Sequence, residues 1–235
     1  MNRMRDSNES KYQKLRKLGQ ALKIPTFEAF LGMEVRDGHG RIIHQHKQRS
    51  HSWVRNAYNE LMSVVGAINA SDGVFGGGYI NFKDTAGTLR SPSNPIPRWD
   101  VSVESAGQGY LGAAGADDLG IVVGSGLNAE SFEDYALQTK ILNGTTAGKM
   151  SYIASDPAVK SYNAGTKIYT VTYIRYFNNN SGGDVSVNET GIISNIQPLN
   201  GYRCMLTRDK LGSSIVVPNT GQLKVTYTIQ LIYPA

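Results

Sequence analysis

The chain has 235 residues, 40 % of them hydrophobic, enough for one packed domain with extensions. Its single cysteine, Cys204, excludes an intrachain disulfide framework and a cysteine-rich zinc site. The net charge of +5 is local: residues 1–23 hold seven basic and two acidic groups, and the remainder is balanced, so the body does not read as a basic nucleic-acid-binding fold.

Residues 1–25 form a basic N-terminal arm. Leu15, Leu18 and Leu22 recur at helical spacing, which predicts a short amphipathic helix over about residues 11–22, ended at Pro25. Lys14 and Lys17 can attract an acidic neighbour, and Leu15, Leu18 and Leu22 can then be buried against it, so these five residues are candidate partner contacts. The arm is the one segment suited to packaged nucleic acid. Its alternative reading is a tail that orders only against a partner.

Residues 26–235 read as a single β-rich domain. Phe27, Ala29, Leu31, Met33 and Val35 alternate with more polar positions and predict a half-buried strand. Asp37-Gly38-His39-Gly40 supplies a hairpin turn into a second strand over residues 41–46. At about residues 51–68 the period changes. Val54, Ala57, Tyr58, Leu61, Val65 and Ile68 share one helical face, which is expected to pack on the sheet or on a neighbouring subunit.

Residues 71–118 predict a long loop insertion with a short strand at residues 79–83. Pro92, Pro95 and Pro97 disfavour helix and central strand alike. Loops of this length in compact domains usually carry function. Trp99, just after the prolines, is a candidate contact residue.

From residue 119 the chain predicts strands only: 119–123, 149–154, 166–177, 185–193, 202–208 and 222–232. The last alternates cleanly, with Leu223, Val225, Tyr227, Ile229 and Leu231 expected in the core. The fold class is therefore mainly β: an antiparallel β-sandwich with one packed amphipathic helix and the basic arm.

Three stretches carry a resemblance. Leu119-Gly120-Ile121-Val122-Val123-Gly124-Ser125-Gly126 is followed by Asp134-Tyr135-Ala136-Leu137. Residues 170–177 run through Asn178-Asn179-Asn180-Ser181-Gly182 to Asn188-Glu189-Thr190-Gly191-Ile192. Leu206-Thr207-Arg208-Asp209 precedes Pro218-Asn219-Thr220-Gly221-Gln222 and a Thr-rich last strand. Across residues 27–68 and 119–232 this order resembles the small accessory proteins of tailed-bacteriophage particles. The resemblance implies a non-enzymatic structural component of the virion, in a tail, neck or fibre-attachment position. It would be assembled in the host cytoplasm through contacts with copies of itself and with other virion proteins. A capsid decoration protein and a receptor- or carbohydrate-binding module are the alternatives.

The reactive chemistry sought in the sequence is sparse. All four histidines, His39, His44, His46 and His51, lie close together. His44 and His46 share one strand face and could ligate a metal, but the chain offers them no further ligand pattern, so a polar strand is expected there. Asp117, Asp118, Glu130, Glu133 and Asp134 read as solvated loop charges. Cys204, flanked by Tyr202 and Leu206, reads as a small buried hydrophobe. Glu189 reads as a turn cap beside Gly191. There is no nucleophile elbow and no phosphate-binding loop. No apolar run reaches the ~18–20 residues of a membrane helix, and no hydrophobic segment follows the basic N-terminus as in a signal peptide. No cofactor and no catalytic residue are expected.

Overall fold

The computed structural model describes residues 8–66, 81–90, 109–197 and 201–234. In chain order the elements are α1 (Glu9–Ala21), β1 (Thr26–Arg36), β2 (Ile42–Arg49), α2 (Arg55–Gly66), β3 (Phe82–Lys83) and β4 (Leu89–Arg90). There follow β5 (Gly120–Gly124), β6 (Ser151–Tyr152), β7 (Val159–Asn163), β8 (Ile168–Asn178), β9 (Val185–Gln197), β10 (Tyr202–Val217) and β11 (Gln222–Ile232). Among the described residues no helix is long and apolar enough to cross a membrane.

Two antiparallel sheets make a mainly-β, sandwich-like fold. The larger has the order β2-β1-β11-β8-β6, with β7 also paired to β8, and the smaller has the order β10-β9-β5. The alternating pattern of the last strand explains its central place. Leu223, Val225 and Tyr227 are fully buried, and their neighbours Lys224, Thr226 and Thr228 face the other side. On the same inner face β1 contributes Leu31, Met33 and Val35 and β8 contributes Phe177; the facing sheet supplies Val122, Val187, Ile192, Ile215 and Val217.

The strand read at residues 27–35 is β1, and it belongs to the larger sheet, pairing along its whole length with β11 from Thr26 opposite Ile232 to Arg36 opposite Gln222. Several expectations are corrected. Ile229 and Leu231 are only half-buried and lie outside the core cluster, and Phe27 is exposed with its ring edge-on to Trp53. The described parts of residues 71–118 are not mere insertion: Phe82 and Leu111 are fully buried, and β3 and β4 form a hairpin. β7 was not read from the sequence, since all its residues are exposed and lack an apolar face.

The expected stripe at α2 is met only in part: Val54 is buried and Ala57 packs against a core cluster. Tyr58 and Leu61 are exposed, whereas Asn56, Asn59 and Glu60 are buried. The reason is hydrogen bonding. Asn56 Nδ2 donates to the carbonyls of Lys83 (2.9 Å) and Met205 (3.1 Å), and its Oδ1 accepts the Lys83 amide at 3.0 Å. Asn59 Nδ2 donates to the Asn81 carbonyl at 2.7 Å. The helix thus supplies partners to backbone groups of the β3 hairpin and β10, which an apolar face would have left unsatisfied. The side chain of Val65 and residue Ile68 lie outside the described residues.

Candidate functional site

The basic arm folds as α1 and attaches to the outer face of the larger sheet. Glu28 and Phe30 alternate with the inward Ala29 and Leu31, so they mark that outer face. Arg49 is the anchor. Its guanidinium donates to both carboxylate oxygens of Glu9, at 2.7 and 2.9 Å, and lies 3.8 Å from Glu28. It also stacks over the rings of Tyr12 (4.3 Å) and Phe30 (4.9 Å). The paired Arg49 side chain holds the Glu9 carboxyl below its ordinary range. The helix ends in a left-handed Lys23, φ 56°, before Pro25. Gly19 is buried against Thr26, where a Cβ would meet the threonine hydroxyl at 2.9 Å.

This attachment turns the leucines outward. Leu15 and Leu18 are each 55 % exposed and Leu22 59 %, and Ile24, just past the helix, is exposed as well. Lys14 and Lys17 are exposed on the same helix. The helix is held by its Glu9, Tyr12 and Gly19 side, so the leucine face read as a partner contact is left open on the chain itself. Trp99 and the proline-rich run lie outside the described residues.

The charges expected to be solvated are mostly paired. Asp117 binds Lys140 at 2.8 Å, Asp118 binds Arg203 at 3.2 Å, and Glu133 binds Arg55. Asp134 binds Arg208 at 2.8 Å, and Arg208 also donates to Glu189 at 2.7 Å. Glu189 is fully buried and its carboxylate further accepts the amides of Gly126, Gln138 and Thr139. Its role is therefore structural, as read, but wider than a turn cap: it gathers the whole loop after β5. Gly126 and Gly124 leave room for it, since a Cβ on either would collide with the Glu189 side chain. Cys204 is buried, and burial pushes its thiol up to about 12. It is no nucleophile at neutral pH.

The sequence did not reveal a buried polar seam between the sheets. Asp209 on β10 is fully buried. Its Oδ2 accepts from Ser50 Oγ at 2.8 Å, Tyr227 OH at 2.9 Å and Thr207 Oγ1 at 3.1 Å. Burial pushes this carboxyl up to about 6, against the hydrogen bonds that lower it. The signal available in sequence was an Asp between Arg208 and Lys210 in a strand, which reads as a solvated charge and does not say what will meet it. Of the histidines, His44 and His46 lie on edge strand β2, and His46 Nε2 meets the Gln48 Oε1 at 2.8 Å. Neither belongs to a cluster of metal-ligating groups among the described residues. Comparison of the chain with protein-family models, characterised proteins and solved structures finds no match.

Proposed function

We propose that this protein is a structural component of a tailed-phage virion that works through protein–protein contacts, in a tail, neck or fibre-attachment position. The observation that carries this reading is the row Leu15, Leu18 and Leu22, exposed along and just past a helix that an Arg49-centred anchor fixes to the sheet. Exposing such a row to water is unfavourable in an isolated chain, and covering it releases very roughly 1–2 kcal/mol per leucine before ordering costs. The surrounding Lys14 and Lys17 favour an acidic neighbour.

Rigidity is the second support. Buried polar groups fix loop to strand through Glu189, Arg208 and Asp209 and leave no free nucleophile–base pair among them. The arrangement suits a part that transmits position and force.

Mass spectrometry and a reconstruction of purified particles test the proposal. The chain is expected in particles at a symmetric position with α1 against a neighbour. A chain absent from particles, monomeric at all concentrations and without a particle-protein partner overturns it. A decoration position on the capsid shell, or specific binding on a glycan array, selects one of the two alternative roles instead.

A further inference from the structure

Beside the buried Asp209 two further donors converge. A ring nitrogen of His51 and a carboxylate oxygen each of Glu130 and Asp209 lie within 4.8 Å of one another. The three come from separate parts of the chain: the link between β2 and α2, the loop after β5, and β10. His51 is exposed, Glu130 half-buried and Asp209 fully buried, so the cluster runs from solvent into the interior.

Asp209 supplies the independent sign of a ligand. Three hydroxyls converge on its Oδ2, while its Oδ1 is buried and has no hydrogen-bond partner. Leaving a carboxylate oxygen buried without a donor is costly, because it has given up water and gained nothing in return. A cation would satisfy it.

The backbone around the cluster is held in advance. Ser50 N donates to the Ala29 carbonyl at 2.9 Å, and Val54 N donates to the Leu206 carbonyl at 3.0 Å, fixing the segment that bears His51 on both sides. Between them the Ser52 carbonyl accepts Arg208 N at 3.1 Å. Arg208 in turn clamps the other loop, donating to the carbonyls of Asn128 and Ala129, each at 3.1 Å. Glu130 Oε1 accepts the Lys210 amide at 2.7 Å. That bond orients the carboxylate and leaves its other oxygen available, the kind of outer support that metal ligands characteristically have.

We infer that His51, Glu130 and Asp209 form a binding site for a divalent transition-metal ion of the zinc type, coordinated by one imidazole and two carboxylates. Imidazole with carboxylate is a zinc-like set, whereas magnesium and calcium prefer oxygen alone. Tetrahedral zinc with bonds of about 2.0–2.2 Å places its donors roughly 3.4 Å apart. Rotation of the exposed His51 and half-buried Glu130 side chains closes the separation while Asp209 stays fixed. Three protein ligands leave a fourth position for water or for a side chain from an adjoining molecule.

The test uses the full chain, stripped of metal and then titrated with zinc. Equilibrium dialysis with elemental analysis is expected to find one zinc per chain at this site, and thermal unfolding to shift upward by several degrees in a saturable way. His51→Ala and Glu130→Gln should leave the metal-free melting temperature nearly unchanged, since the amide oxygen of the substituted side chain still offers the Lys210 amide an acceptor. Each should weaken zinc binding tenfold or more. The double variant His44→Ala/His46→Ala should keep wild-type zinc binding. Magnesium and calcium should produce no shift at matched concentration. The inference is overturned if zinc does not bind, if binding survives both His51→Ala and Glu130→Gln, or if it follows His44 and His46.

Discussion

Tyr227, on a strand in the middle of the larger sheet, donates its hydroxyl to Asp209 on the edge strand of the smaller one at 2.9 Å. Both side chains are fully buried, so this bond crosses the sandwich where apolar packing otherwise joins the sheets. A polar link of this kind fixes the relative position of the layers, because the hydroxyl and carboxylate meet in only one alignment. Tyr227→Phe keeps the ring and removes one of three donors to Asp209. It should lower unfolding free energy by about 1–3 kcal/mol in urea titration with an unchanged slope. A loss below about 0.5 kcal/mol would show that the bond contributes little.

Arg175 is the second buried charge to test. It is fully buried on β8 and donates to five carbonyls: Ile153, Leu119, Ile121, Ala113 and Ala116, at 2.7–2.9 Å. Burial pushes its guanidinium down to about 10, well above neutral pH, so it remains charged. Arg175→Met should strand these carbonyls and cost ~3 kcal/mol or more, read by chemical denaturation. Arg175→Lys offers at most three donors and should recover only part of the loss. Gly112 beside it has no room for a side chain, since a Cβ would collide with the guanidinium and the Leu119 carbonyl. Gly112→Ala should therefore destabilise as well.

Glu60 makes stability depend on pH. Burial pushes its carboxyl up to about 8, partly opposed by the hydrogen bond from Tyr110 OH at 2.8 Å. Tyr110, Tyr173 and Cys204 face it; burial raises all three, Tyr173 and Cys204 to about 12, so they stay neutral. Between about pH 4.5 and 8 the folded chain holds a proton on Glu60 that the unfolded chain releases, so stability falls as pH rises through this window. Glu60→Gln removes this dependence. Its stability relative to wild type should improve by an amount on the order of a few kcal/mol from pH 5 to pH 9, measured by denaturation at each pH. An equal pH response in the two proteins would contradict the raised carboxyl.

The strands were legible where one side faces solvent or the sheet's outer surface. Residues 222–232 alternate, and the predicted bounds match β11. Leu223, Val225 and Tyr227 are inward as read, so Val225→Asp should cost several kcal/mol. Periodicity held only in part for α2: Val54 and Ala57 face the core as read, but Asn56 and Asn59 also face inward to serve backbone groups from residues far away in sequence. For the arm it gave the helix and the row Leu15, Leu18 and Leu22 but not the docking side, which Glu9 and Tyr12 decide through Arg49 on another element. The convergence of His51, Glu130 and Asp209 was hidden for the same reason, since their spacing along the chain carries no motif. Hydrophobic pattern locates a core. It does not locate polar partners brought together by sheet pairing.

The arm can be separated into an anchor and a contact surface. Arg49→Ala removes the ion pair with Glu9 and the stacking on Tyr12, so α1 should detach while the sandwich keeps its fold. Limited proteolysis should then cut within residues 9–25 at least several-fold faster, with the main melting transition moved by no more than a few degrees. Replacing Leu15, Leu18 and Leu22 together by Ser should do the reverse. These side chains are more than half exposed, so stability and protease resistance should stay near wild type. On the proposed virion role, incorporation into particles should nevertheless drop, and the residual incorporation should weaken as salt is raised, because Lys14 and Lys17 would then carry the remaining attraction. The two variants therefore distinguish a docked contact element from a passive tail. A triple variant that assembled as well as wild type would show that the leucine row is not the contact, and a triple variant that unfolded would place those leucines in the core.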